Sequence, residues 1–182
     1  MGERLLDTMR SGLIAPGAAE LVHTAYLLAT KPRAATLSAK DTRLLHPGRT
    51  VLILWQDCNT RDPGELAAAA LLESQDFELR AQLDEFPSTA ITELVEAIPN
   101  PRTSGDRLLE DLLALDPPGA RIAVAEQLDH LRHLHLGDRA FWHAGFELAT
   151  EVYLPVAQRT DPALARRLGR WRDMFEKHRL RR

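Results

Sequence analysis

Apolar residues recur every three or four positions along nearly the whole chain, and no run of alternating β-branched residues interrupts them. That spacing puts the apolar side chains on one stripe of a helix, so the pattern predicts an all-α protein. A first helix is expected after Pro16-Gly17, through Leu21, Ala25 and Leu28, ending at Lys31-Pro32, where a proline removes a helix donor. Arg33 to Leu45 then reads as loop, and Pro47 as the first residue of a helix with His46 at its mouth and Val51, Leu54 and Trp55 along it. That helix is expected to stop in the polar turn from Asp57 to Arg61.

The clearest start follows, with Asp62 as cap, Pro63 in the first position and Glu65 in the third. Its continuation through Ala67 to Leu72 is apolar on every side, which marks a helix enclosed by neighbours. Pro87-Ser88 opens a helix with Ile91, Leu94, Val95 and Ile98, and Arg102 to Gly105 is the expected mobile loop. A long helix is predicted from Ala120 to Leu136, stopped by Gly137, with Asp138 capping the next one through Phe141, Phe146, Val152 and Val156. Asp161-Pro162 starts the last helix, with Leu164, Leu168, Trp171 and Phe175 on its apolar side. The order predicts a compact bundle of about seven or eight helices in a single domain, residues 1–182.

Composition changes this picture little. An apolar share of 45% with 27% charged residues is ordinary for a globular protein. Apolar runs of only a few residues fall far short of the ~20 needed to cross a bilayer, so no membrane role is expected. Glu3, Arg4 and Asp7 do not resemble a secretory leader, and the expected location is the cytoplasm. The single cysteine, Cys58, has no internal disulfide partner. A net charge of −3 argues against general nucleic-acid binding, although residues 166–182 hold eight basic side chains. A basic last helix suits its own dipole and reads first as wet surface, with an acidic partner or RNA as the alternative.

Chemistry-bearing residues are sparse. Glu73 follows Leu66 and Ala69 on a line of buried positions, where a carboxylate needs a partner such as Arg132 or Arg49. On the helix beyond Pro117-Pro118, Val124, Leu128 and Leu131 share one face, while Glu126, Asp129, His130 and His133 are expected on the other, as a solvated face or a cleft wall. His130, His133, His135 and His143 lack any Cys or H-E-x-x-H pattern that would favour zinc.

Five segments in order resemble the His-Asp (HD) hydrolase domain of the RelA/SpoT alarmone enzymes and their small stand-alone relatives. These are His46-Pro47 with Val51 and Leu54, Ala67 to Ser74, Asp84 to Phe86 with Leu94-Val95, Arg121 to Leu134, and Tyr153 to Arg159. The resemblance implies an HD-like bundle whose relatives hold manganese with two histidines and two aspartates and remove the 3′-pyrophosphate of guanosine alarmones. Carried over by position, the first histidine is His46, the second falls on Glu73, its neighbouring aspartate on Ser74 and the distant aspartate on Glu126. The Glu-Asp pair that acts on the attacking water falls on Phe77 and Glu78, which leaves Glu78 as catalytic candidate. A neutral serine is a poor ligand for a hard cation and phenylalanine moves no proton, so hydrolysis is expected to be impaired. Manganese or magnesium remains an option through His46, Glu73 and Glu126, and otherwise no cofactor is expected. Arg33, His130, Tyr153 and Arg159 are the expected contacts to a guanine nucleotide, with a protein partner as another occupant. The alternative is an active, divergent metal-dependent phosphohydrolase. No synthetase half is encoded in these residues.

Overall fold

The structure is a computed structural model, which describes residues 2–12, 17–34, 42–72 and 80–180. All regular structure among the described residues is helical, as the periodicity predicts. The chain divides into two compact units, residues 1–98 and 99–182.

The first unit begins with α1 (Gly2–Arg10), a short helix outside the expected set. Leu5 and Met9, one turn apart, are fully buried against α2 (Ala18–Ala34), so two residues suffice to dock a short helix. α2 continues through Pro32 to Ala34, where a stop at Lys31-Pro32 was expected, and the backbone of Arg33 is therefore helical rather than loop. α3 (Thr42–Asp57) likewise begins before Pro47, which lies inside it. His46 is consequently not at a helix mouth but in the body of the helix, 3% exposed, with its carbonyl accepting from the Thr50 hydroxyl at 3.2 Å.

α4 (Pro63–Leu71) forms as its cap predicts, with Asp62 Oδ1 accepting from the Glu65 amide at 2.8 Å. Every residue from Glu65 to Leu71 is buried, because α2, α3 and α6 (Thr89–Ala97) all pack on this helix. The run of alanines lets those neighbours approach closely. α5 (Arg80–Asp84) precedes α6, and Ile91, Val95 and Ile98 carry the apolar side of that region inward.

In the second unit, the expected mobile loop is instead a turn of helix, α7 (Pro101–Ser104), capped by Asn100 Oδ1 on the Arg102 amide at 2.9 Å. Gly105, at φ +53°, ends it in a conformation that favours glycine. α8 (Leu108–Ala114), also outside the expected set, buries Leu108 and Leu112. α9 (Pro117–Arg132) is capped by Asp116, starts three residues earlier than the expected Ala120 and ends four before Leu136, which lies in a 3₁₀ turn.

Asp138 caps α10 (Arg139–Glu147) as expected, accepting from the Phe141 amide at 2.8 Å. The single helix predicted through Val156 is divided by a π-helical turn at Leu148–Tyr153 before α11 (Leu154–Thr160). Pro155 explains the division, since it has no amide for the carbonyl one turn back and its ring widens the preceding turn. α12 (Pro162–Phe175) starts at Asp161, whose Oδ1 accepts from the amides of Ala163 and Leu164 at 2.7 and 3.1 Å. α9, α11 and α12 pack on one another and make the core of this unit with Ile122, Leu128, Leu131, Tyr153, Leu164 and Leu168.

Candidate functional site

α9 is the helix on which the polar chemistry of the second unit gathers. It is enclosed by α8, α11 and α12, so only part of one side reaches solvent. The expected division into an apolar and a polar face therefore fails at Asp129, which is fully buried. A carboxylate without solvent needs a cation, and Arg132, one turn on, supplies one at 3.7 Å. Arg132 is thus turned to Asp129, the structure's own answer to a buried acid on this helix.

Glu126 and His130 sit one turn apart at the open part of α9. His130 Nε2 and Glu126 Oε1 are 2.6 Å apart, a short contact between an acid and an imidazole. The Glu126 side chain is 17% exposed and that of His130 is 52%, so the carboxylate backs the ring while the ring meets solvent. Tyr153, at the end of the π-helical turn, lies buried within reach of the Glu126 charge. Burial, and secondarily that carboxylate, push the Tyr153 hydroxyl well above its ordinary ionisation range. It stays protonated at any physiological pH. Packing of its turn against α9 and α11 sets its position.

Arg159 lies in the last turn of α11 and is exposed, six residues beyond the buried Tyr153. His46 belongs to the first unit, buried in α3. The backbone of Arg33 is in α2, and its side chain lies outside the described residues, as do Glu73, Ser74, Phe77 and Glu78. Within the second unit the structure brings Glu126 and His130 together, with the buried Tyr153 close enough to feel the Glu126 charge.

Glu126 and His130 offer one carboxylate oxygen and one imidazole nitrogen capable of holding a metal ion. Donors bound at about 2.1 Å and at right angles on a cation lie about 3.0 Å apart. The observed 2.6 Å is a hydrogen-bond separation, so the pair would open by about 0.4 Å to admit an ion. As it stands, the pair is a short hydrogen bond between a carboxylate and an imidazole.

The pairing of His130 with Glu126 was legible in the sequence as an i, i+4 spacing. The approach of Tyr153, 27 residues away, had no local signal. No helix among the described residues is long and apolar enough to cross a membrane. Comparison of the chain with protein-family models, with curated proteins and with solved structures finds no match in any of the three.

Proposed function

We propose that this chain is a divergent relative of the HD alarmone hydrolases that binds a guanine nucleotide through its second unit without cleaving it. The observation that carries the reading is the Glu126–His130 pair. Position 126, where the resemblance places a metal-ligating aspartate, holds a carboxylate already engaged by an imidazole at 2.6 Å. Glu126 fixes the orientation of the ring, and the half-exposed ring offers a hydrogen bond or a positive charge to a phosphate oxygen. Tyr153 closes the buried side of the pair with a hydroxyl that keeps its proton and so adds no second negative charge beside Glu126. Ser74 and Phe77, in place of a carboxylate ligand and of a proton-moving group, support the loss of hydrolysis from the sequence side.

A manganese-dependent phosphohydrolase is the second reading, favoured by the presence of an oxygen and a nitrogen donor on adjacent turns of one helix. A bound ion would supply a more acidic water and offset charge on the leaving phosphate. Glu126 and His130 would hold it, while Tyr153 would keep its proton.

The two are separated by mixing metal-free protein with guanosine tetraphosphate, with and without manganese, and measuring both binding by calorimetry and pyrophosphate release by ion-exchange chromatography. Binding without release, weakened about tenfold or about 1.4 kcal/mol in His130→Ala, is the expected result. Manganese-dependent release that disappears in Glu126→Gln refutes the non-catalytic reading. Neither binding nor release refutes both.

A further inference from the structure

We infer that the exposed side of α12 and the turn after it is a contact surface for the sugar-phosphate backbone of a nucleic acid. The net charge of −3 conceals an asymmetry. Residues 162–182 carry eight Lys and Arg against two acidic residues, a net of +6, which leaves −9 on residues 1–161. An approaching polyanion is therefore drawn to the last helix and repelled by the rest of the chain.

Within this segment the cations are not scattered. Leu164, Leu168 and Phe175 are buried, and the Trp171 indole donates to the Leu131 carbonyl at 3.0 Å, so one side of α12 is committed to its own unit. Arg166, Arg170 and Lys177 are left on the exposed side, while the Arg179 guanidinium beyond them lies over the Trp142 ring, 5.8 Å from its centroid. At 1.5 Å per residue, Arg166 and Arg170 stand about 6 Å apart along the axis and Lys177 about 10 Å further. Arg172 is engaged by Asp173 at 2.7 Å. Among the described residues, no carboxylate lies within ion-pair distance of Arg166, Arg170, Lys177 or Arg179.

The chemistry of the face selects the partner. A helix that lies in a membrane surface needs an apolar side to insert, and here that side is occupied by the core of the unit. A protein interface needs a desolvated apolar centre, and on this face Met174 is the one large apolar side chain exposed. Cations along one stripe with little apolar area between them suit a polymer of phosphates, where affinity comes from release of counterions.

The test uses the purified full chain and a fluorescein-labelled 20-nucleotide polyuridine, followed by anisotropy across a salt series. Three neutralised phosphates give a slope of about −2.1 in log K against log salt, so affinity falls about 18-fold between 50 and 200 mM. Arg166→Gln with Arg170→Gln is expected to cut the slope to about −0.7 and reduce the same loss to about threefold. Both side chains are exposed, and an unchanged circular dichroism spectrum checks that the variant is folded. No binding at 50 mM salt with protein at ~10⁻⁴ M overturns the inference, as does a slope unchanged in the double variant. Vesicles of phosphatidylserine that bind the protein while the oligonucleotide does not would also overturn it, by assigning the surface to a membrane.

Discussion

Replacing Tyr153 by phenylalanine removes a hydroxyl whose ionisation is held off chiefly by burial and secondarily by Glu126. Its folded-state pKa lies above the ordinary value near 10, so the proton is retained in the folded protein when the unfolded chain has begun to release it. The stability from keeping that proton is complete below about pH 10 and is lost as pH rises beyond it. With an unfolded pKa of about 10, the loss is negligible at pH 9 and reaches about 1.4 kcal/mol at pH 11, where the slope approaches 1.36 kcal/mol per pH unit. The alkaline range is unusually clean in this chain, which has two tyrosines, three lysines and one cysteine. Tyr26, whose hydroxyl burial also pushes up, acts in the same direction and is common to both proteins. Urea midpoints followed by circular dichroism between pH 8 and pH 11 are expected to converge, with the wild type losing about 1.4 kcal/mol more than Tyr153→Phe by pH 11. Glu126→Gln should keep the wild-type slope, because burial is the larger cause. Parallel curves for wild type and Tyr153→Phe would refute the reasoning, since they would mean that the hydroxyl ionises in the folded protein as readily as in the unfolded chain.

Two further predictions concern the fold. A Cβ at Gly12 would meet the Trp55 ring at 2.4 Å, and that ring is held by the Arg61 guanidinium 3.7 Å above it, so Gly12→Ala should cost about 1–3 kcal/mol in urea unfolding. A Cβ at Gly137 meets Phe141 at the same 2.4 Å, but Phe141 is 57% exposed and free to turn away, so Gly137→Ala should change stability by under about 0.5 kcal/mol. Equal effects at the two sites would refute the argument from side-chain mobility. Asp161→Ala leaves the amides of Ala163 and Leu164 without their acceptor and should lower the unfolding free energy by about 1 kcal/mol, while an unchanged midpoint would show that water replaces the cap.

Sequence alone determined what depends on near neighbours. Helical periodicity fixed the all-α class, and the caps at Asp62, Asp138 and Asp161 fixed three helix starts, because each acts within one turn of its own backbone. The enclosed α4 was legible because an all-apolar helix has no side to give to water. Prolines misled. Pro32 and Pro47 read as boundaries, yet α2 and α3 run through both, since packing against α4 outweighs the loss of one backbone hydrogen bond. Short α1 and α8 escaped notice because two buried side chains each, with no strong cap, are too little signal until a neighbour covers them.

At the candidate site, the spacing of Glu126 and His130 belongs to the sequence, since residues four apart on a helix face each other wherever the helix is placed. Tertiary structure decided which side of α9 meets solvent. It buried Asp129 and turned Arg132 to it, left His130 half exposed, and brought Tyr153 to Glu126 across 27 residues of chain. The stripe of cations on α12 divides the same way: its charge is written in the sequence, while its exposure exists because α9 and α11 take the other side of the helix. Burial is a property of what packs on a residue, and no local pattern carries that information.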